Sequence, residues 1–142
     1  RYDFIIIDTP PSLNVLTVNA YVASDALIVP MEAETLSLVG ITQLQETIET
    51  VRDTFNPHLK VLGILLNKFN PRLTLSKEVL ELAAEVADQL QSRVFDVKIR
   101  RGVDVAMAPA HGQNVLTYRP HSKPAMDLEA VVDVVAGERF PR

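Results

Sequence analysis

Three short runs of consecutive apolar residues constrain this chain most: Phe4-Ile5-Ile6-Ile7, Ala26-Leu27-Ile28-Val29 and Val61-Leu62-Gly63-Ile64-Leu65-Leu66. None alternates polar with apolar residues, so none fits a strand with one face in water. Each reads as a strand buried on both faces, as in a parallel sheet covered by helices. The first is expected over Phe4–Asp8, the second is expected to end at Pro30, and the third ends in the polar Asn67. Parallel strands need crossover connections, and the segments between these runs have the pattern of helices. Asn14–Ala23 reads as a short helix. From Leu36 to about Phe55, Ile41, Leu44, Ile48, Val51 and Phe55 recur three and four residues apart, with Thr35 or Glu34 near the start and Asn56-Pro57 as the stop.

The alternation continues beyond Asn67. A loop with Pro71 leads to a helix beginning near Ser76, whose inner stripe is Val79, Leu82, Val86 and Leu90. Val94–Ile99 has the composition of a short strand, and Val103 to Ala108 that of a helical turn. Pro109, Gly112 and Pro120 mark loops. A last helix is predicted over about Pro124–Ala136, with Leu128, Val131, Val132 and Val135 facing in. Strands alternating with amphipathic helices predict an α/β fold with a mostly parallel sheet.

At 142 residues one domain is expected, and 47% hydrophobic with 23% charged residues is an ordinary globular balance. No run reaches the length of a membrane span, and no signal peptide is expected before the first strand. The absence of cysteine excludes disulfides and thiolate metal sites. A net charge of −4 opposes a uniformly basic nucleic-acid binder while leaving room for a local basic patch. The chain begins at Arg1, two residues from a core strand, and is expected to be the C-terminal part of a longer protein.

The chemistry concentrates at Asp8. A carboxylate at the C-terminal end of a buried parallel strand lies where open α/β sheets bind ligands. In phosphoryl-transfer enzymes that position holds Mg²⁺ near a nucleotide, usually through water. An aspartate after a strand is also good turn chemistry, and Asn67 admits the same structural reading. A glycine-rich loop carrying a lysine, the other half of a phosphate site, does not occur in these 142 residues. His58, His111 and His121 lack metal-site spacing, and Ser12 and Ser24 lack the pattern of a nucleophile.

The segment Tyr2-Asp3-Phe4-Ile5-Ile6-Ile7-Asp8-Thr9-Pro10-Pro11-Ser12-Leu13 resembles the second nucleotide motif of the ParA/Soj chromosome- and plasmid-partitioning ATPases. The likeness continues, in order, through Thr17-Val18-Asn19-Ala20, Asp25–Pro30, Gln43–Ile48, Asn56-Pro57, Leu75–Val79, Ala108–Gly112 and Ser122-Lys123. It implies a P-loop NTPase-like three-layer α/β sandwich with its N-terminal part missing. It further implies a deviant P-loop ATPase that uses ATP and Mg²⁺, forms a homodimer around ATP and binds DNA nonspecifically. A centromere-binding ParB-like partner stimulates hydrolysis in such proteins, which are cytoplasmic and associated with the nucleoid.

By resemblance, Asp8 is the acidic residue near Mg²⁺, and Thr9, Pro10 and Pro11 begin the switch segment that senses the γ-phosphate. Asn67 falls where relatives place residues near the adenine base, whose edge needs both a donor and an acceptor. Arg100, Arg101 and Lys123 fall in regions where relatives carry basic residues that touch DNA phosphates. Two departures stand out: Ile99-Arg100-Arg101-Gly102 replaces an Ile-Pro-Arg-Asn-like sequence, and Met107-Ala108-Pro109 replaces Glu-Ala-Pro. The chain alone is expected to hydrolyse no ATP, for want of a phosphate loop. The alternatives are a non-hydrolysing interaction module of the same fold, a cellulose-synthesis or plasmid-transfer relative, or a MinD-like regulator. The last expects a basic amphipathic C-terminal helix, whereas Asp127-Leu128-Glu129-Ala130-Val131-Val132-Asp133 is acidic on its polar side, which opposes membrane attachment.

Overall fold

The computed structural model describes residues 2–32, 38–71 and 76–138. It has an α/β fold with a parallel sheet. Two strands, β1 (Ala26–Glu32) and β2 (Lys60–Asn67), pair in that sheet. The chain divides into two compact units, residues 1–27 with 37–62 and residues 28–36 with 63–142.

In the first unit, helix α1 (Val15–Ala23) starts at Asn14, whose side-chain oxygen accepts from the N–H groups of Leu16 and Thr17 at 2.9 and 3.3 Å. Those are orphan donors of a first helical turn, and asparagine is among the best residues for satisfying them. Helix α2 (Leu38–Thr54) packs against α1. Ile41, Ile48 and Val51 on its inner stripe are buried, together with Thr17, Ala20, Leu59 and Val61. Phe55, expected to extend that stripe, lies exposed just past the helix end, although its N–H still donates to Val51 O at 2.9 Å. The expected start of this helix at Leu36, with Thr35 or Glu34 before it, lies outside the described residues.

In the second unit, Ile64 and Leu66 of β2 are buried, as are Val79, Ala83, Val86 and Ala87 of α3 (Ser76–Gln89) and Leu90 just beyond it. Beyond it come α4 (Val103–Met107), a 3₁₀ turn at Ala108–His111, α5 (Val115–Tyr118) and α6 (Lys123–Gly137). Ala108, Val115 and Ala125 form a small core of their own under Leu116, Tyr118 and Leu128. Val132, predicted to face in, is exposed on α6. Asn114 and Ser122 cap α5 and α6 through side-chain oxygens.

Three strand expectations change. Phe4–Asp8 is neither strand nor helix, and Ile5 and Ile6 are each 81% exposed. A buried strand exists only beside neighbours that complete its hydrogen-bond ladder, and apolar composition supplies none. Pro30 does not end β1, which runs on to Glu32; a proline is tolerated where its missing N–H falls on an open edge. Val94–Ile99 is not a continuous strand. It meets β2 through one parallel bridge, Ile64 with Val94, and the residue after it, Arg100, makes a second with Phe69.

Candidate functional site

The C-terminal ends of parallel strands are where an α/β sheet takes its ligands. In the second unit β1 ends at Glu32 and β2 at Asn67. Lys68, the next residue, reaches Glu32 with its ammonium group at 2.9 Å. Lys68 has φ of 52°, a left-handed conformation uncommon for a residue other than glycine. Its N–H donates to the Asn67 side-chain oxygen at 2.9 Å. Phe69 then donates its N–H to Ile99 O at 2.9 Å, and Arg101 donates to Phe69 O at 3.3 Å. The turn carrying Asn67 is thereby tied to the segment carrying Arg100 and Arg101.

Arg100 is engaged within the chain. Its guanidinium grips Asp127 of α6 in a forked contact, Nε to Oδ2 at 2.9 Å and the terminal nitrogen to Oδ1 at 2.6 Å. Its main-chain N–H donates to the same Oδ2 at 2.9 Å. The Asp127 side chain is 12% exposed and that of Arg100 37%. Burial alone would raise the Asp127 carboxyl, but hydrogen bonds and charge from Arg100 outweigh it and hold the group below its ordinary range. The bond to Asp127 likewise keeps Arg100 firmly protonated. Arg101 and Lys123 are exposed. Lys123 is the first residue of α6, where a cation opposes the helix dipole, so its charge does not serve helix stability.

In the first unit, Asp8, Pro10 and Pro11 are exposed and Thr9 is half-buried. The segment is anchored just beyond the prolines. Ser12 O accepts from the buried Thr17 hydroxyl at 2.7 Å, and Ser12 Oγ accepts from Asn14 Nδ2 at 2.9 Å. Asp8, Thr9, Pro10 and Pro11 thus lead directly into the capped start of α1. No group of three His, Cys, Asp or Glu among the described residues is arranged to hold a metal. A Mg²⁺ ion bound through Asp8 would take most of its ligands from water and phosphate oxygens, as that ion commonly does.

The structure brings Asn67, Arg100 and Arg101 together, although the sequence assigns Asn67 and the two arginines to separate roles, and the sequence gives no role to Glu32 or Asp127. Glu32 follows Pro30 and so lies beyond the expected strand end. Asp127 sits in a stretch read as an acidic solvent face, and only its apolar neighbours Pro124 and Ala125, both buried, signalled otherwise.

A family model described as an AAA domain matches residues 1–61. The chain is 45% identical over 117 residues to the chromosome partitioning protein ParA of Caulobacter vibrioides, covering 82% of this chain and 43% of that one. It is 39% identical over 125 residues to the sporulation initiation inhibitor protein Soj of Bacillus subtilis, covering 88% and 48%. In structure it is similar to cobyrinic acid a,c-diamide synthase from Mycobacterium smegmatis with a bound ATP analogue and magnesium. That likeness has a TM-score of 0.76 and 34% identity over 99% of this chain and 52% of that one. The chain therefore spans about half the length of the relatives it matches. Among the described residues no helix is long and apolar enough to cross a membrane. The ordered motifs, the parallel α/β fold and these likenesses together place the chain in the ParA/Soj family of partitioning proteins.

Proposed function

We propose that this chain is a portion of a single ParA-like nucleotide-binding domain, and that the whole protein is an ATP-dependent partitioning switch. The observation that carries the reading is the likeness, over nearly the full chain, to a structure with a bound ATP analogue and magnesium. Asp8 fits a role in holding Mg²⁺: it is an exposed, hard oxygen ligand followed by a turn of two prolines. Thr9, Pro10 and Pro11 form the switch, and Asn67 recognises the adenine base. When bound, Mg²⁺ neutralises phosphate charge. The chain's own part is to position: Asp8 would hold the hydrated ion, and Asn67, at the C-terminal end of β2, would offer the base a donor and an acceptor.

In this reading the ATP-bound protein dimerises and binds DNA nonspecifically in the cytoplasm, at the nucleoid, with a ParB-like partner stimulating hydrolysis. Arg101 and Lys123 are its phosphate contacts. Arg100 contributes only if it leaves Asp127. Equilibrium binding of a fluorescent ATP analogue to the complete protein, with and without Mg²⁺, tests the proposal. Mg²⁺-dependent binding that Asp8→Ala weakens is the expected result. Binding indifferent to both Mg²⁺ and Asp8 would sink the assignment.

A further inference from the structure

We infer that Asp127 is a positioning residue for base recognition: through Arg100 it holds the Ile99–Arg101 segment, which in turn holds the Asn67–Phe69 turn. This rests on the nucleotide-binding reading above and adds a specificity role outside the residues that touch nucleotide. Asn67 itself is a poor anchor. It is half-buried at a strand end, and the next residue already adopts a left-handed conformation. Its place is fixed from the side: Ile99 donates to Leu66 O at 2.9 Å, Phe69 donates to Ile99 O at 2.9 Å, and Phe69 bridges to Arg100.

What fixes the Ile99–Arg101 segment is α6. One carboxylate, Asp127, accepts from both the main chain and the guanidinium of Arg100. Two residues on, Gly102 packs so tightly on Pro124 that a Cβ there would lie 2.8 Å from the proline ring. Two contacts on one turn of α6 therefore set where the segment lies. A buried carboxylate that satisfies a main-chain N–H and a fork at once fixes geometry more narrowly than a surface pair. The consequence is a chain of dependence from Asp127 through Arg100 and Phe69 to Asn67, and so to the face that distinguishes one purine from another.

A merely stabilising ion pair would weaken every nucleotide equally when lost. A positioning pair would change the choice between bases. The test measures ATP and GTP affinities of the complete protein and of its Asp127→Asn form. The preference for ATP is expected to fall roughly tenfold, about the worth of one misplaced hydrogen bond, with Mg²⁺ dependence retained. An unchanged ATP-to-GTP ratio would overturn the inference. A wild-type protein that binds neither nucleotide overturns the proposed function. One that binds both equally overturns only base reading by Asn67 and the role given to Asp127.

Should Asp127→Asn fail to fold, Arg100→Lys keeps the charge pair and loses the fork. In that variant amide hydrogen exchange at Phe69 and Ile99 is expected to quicken several-fold while Val86 in α3 stays as protected as before. Equal protection at all three positions would overturn the inference whatever the nucleotide result.

Discussion

Asn56 donates its side-chain amide to Ser24 O at 2.8 Å and lies 3.2 Å from the carbonyl oxygens of both Tyr21 and Val22. A residue just past the end of α2 thus closes the C-terminus of α1, whose last carbonyls have no partner within their own helix. Asn56→Ala would leave Val22 O and Ser24 O to find water, and Tyr21 O with only its 3.4 Å bond from Ser24 N–H, at a cost of about 1–3 kcal/mol for groups partly withdrawn from solvent. Thermal unfolding should show a melting temperature lower by several degrees. Asn56→Asp should be worse, because it turns an acceptor toward acceptors.

Gly63 gives a second stability prediction. A Cβ at this position would lie 2.8 Å from Phe95, in contact with the ring. Phe95 is buried, so the ring has little room to yield. Gly63→Ala should destabilise by about 1–3 kcal/mol, the usual cost of overpacking. Adding Phe95→Leu should recover part of that loss, and a non-additive double-mutant cycle in urea would record the contact.

Much of this was legible in sequence, for a reason particular residues show. The short helix expected over Asn14–Ala23 and the buried stripe Ile41, Ile48, Val51 on α2 are local patterns, complete within a few turns of chain. The buried ends of β2 and α3 follow the same logic. What could not be read depends on partners distant in sequence. Phe4–Ile7 has a strand's composition, yet a strand is a relation to a neighbour. Val94–Ile99 meets β2 at scattered points. Arg100 and Asp127 are 27 residues apart, and nothing local reveals that an aspartate among acidic surface residues faces inward. At the site, Asn67 was legible as a strand end; Glu32 and Asp127 were visible only once the chain was folded.

The Arg100–Asp127 pair makes stability depend on pH in a definite direction. Asp127 titrates below its ordinary range in the folded protein, whereas in the unfolded chain it should titrate near the usual value of about 3.9. Its carboxylate therefore stabilises the fold fully above about pH 4, and that contribution is lost as pH falls through the lower folded value. Arg100 stays charged throughout. The stability difference between wild type and Asp127→Asn should be constant from about pH 5 to 7 and shrink below about pH 4. Urea midpoints across that range would measure it; a difference independent of pH would mean that Asp127 is not charged in the fold.

On DNA, the three basic residues should separate. Arg101 and Lys123 are exposed, while Arg100 spends its fork on Asp127. Each phosphate contact adds close to one unit to the slope of log affinity against log salt. Arg101→Ala and Lys123→Ala should each flatten that slope by about one in the ATP-bound complete protein. Arg100→Ala should leave the slope nearly unchanged and lower the melting temperature instead. A slope change for Arg100 equal to that for Arg101 would show that DNA pulls Arg100 away from Asp127.

The 142-residue chain by itself should hydrolyse no ATP above the rate of its own Asp8→Ala form. Phosphoryl transfer is catalysed by positioning and by charge set around the phosphates. Asp8 is the one group in this sequence assigned to that charge, and it acts through a hydrated ion rather than on the phosphates directly. A nest of backbone N–H groups with a lysine is what normally cradles the β- and γ-phosphates, and no glycine-rich lysine loop occurs between Arg1 and Arg142. Base contact through Asn67 can survive that lack, because it is built from β2 and the Ile99–Arg101 segment. The isolated chain should therefore show weak nucleotide binding that responds to Asn67→Ala, with no phosphate release in a steady-state assay. Turnover that vanished in Asp8→Ala would instead mean that the second motif assembles a working site from this half alone.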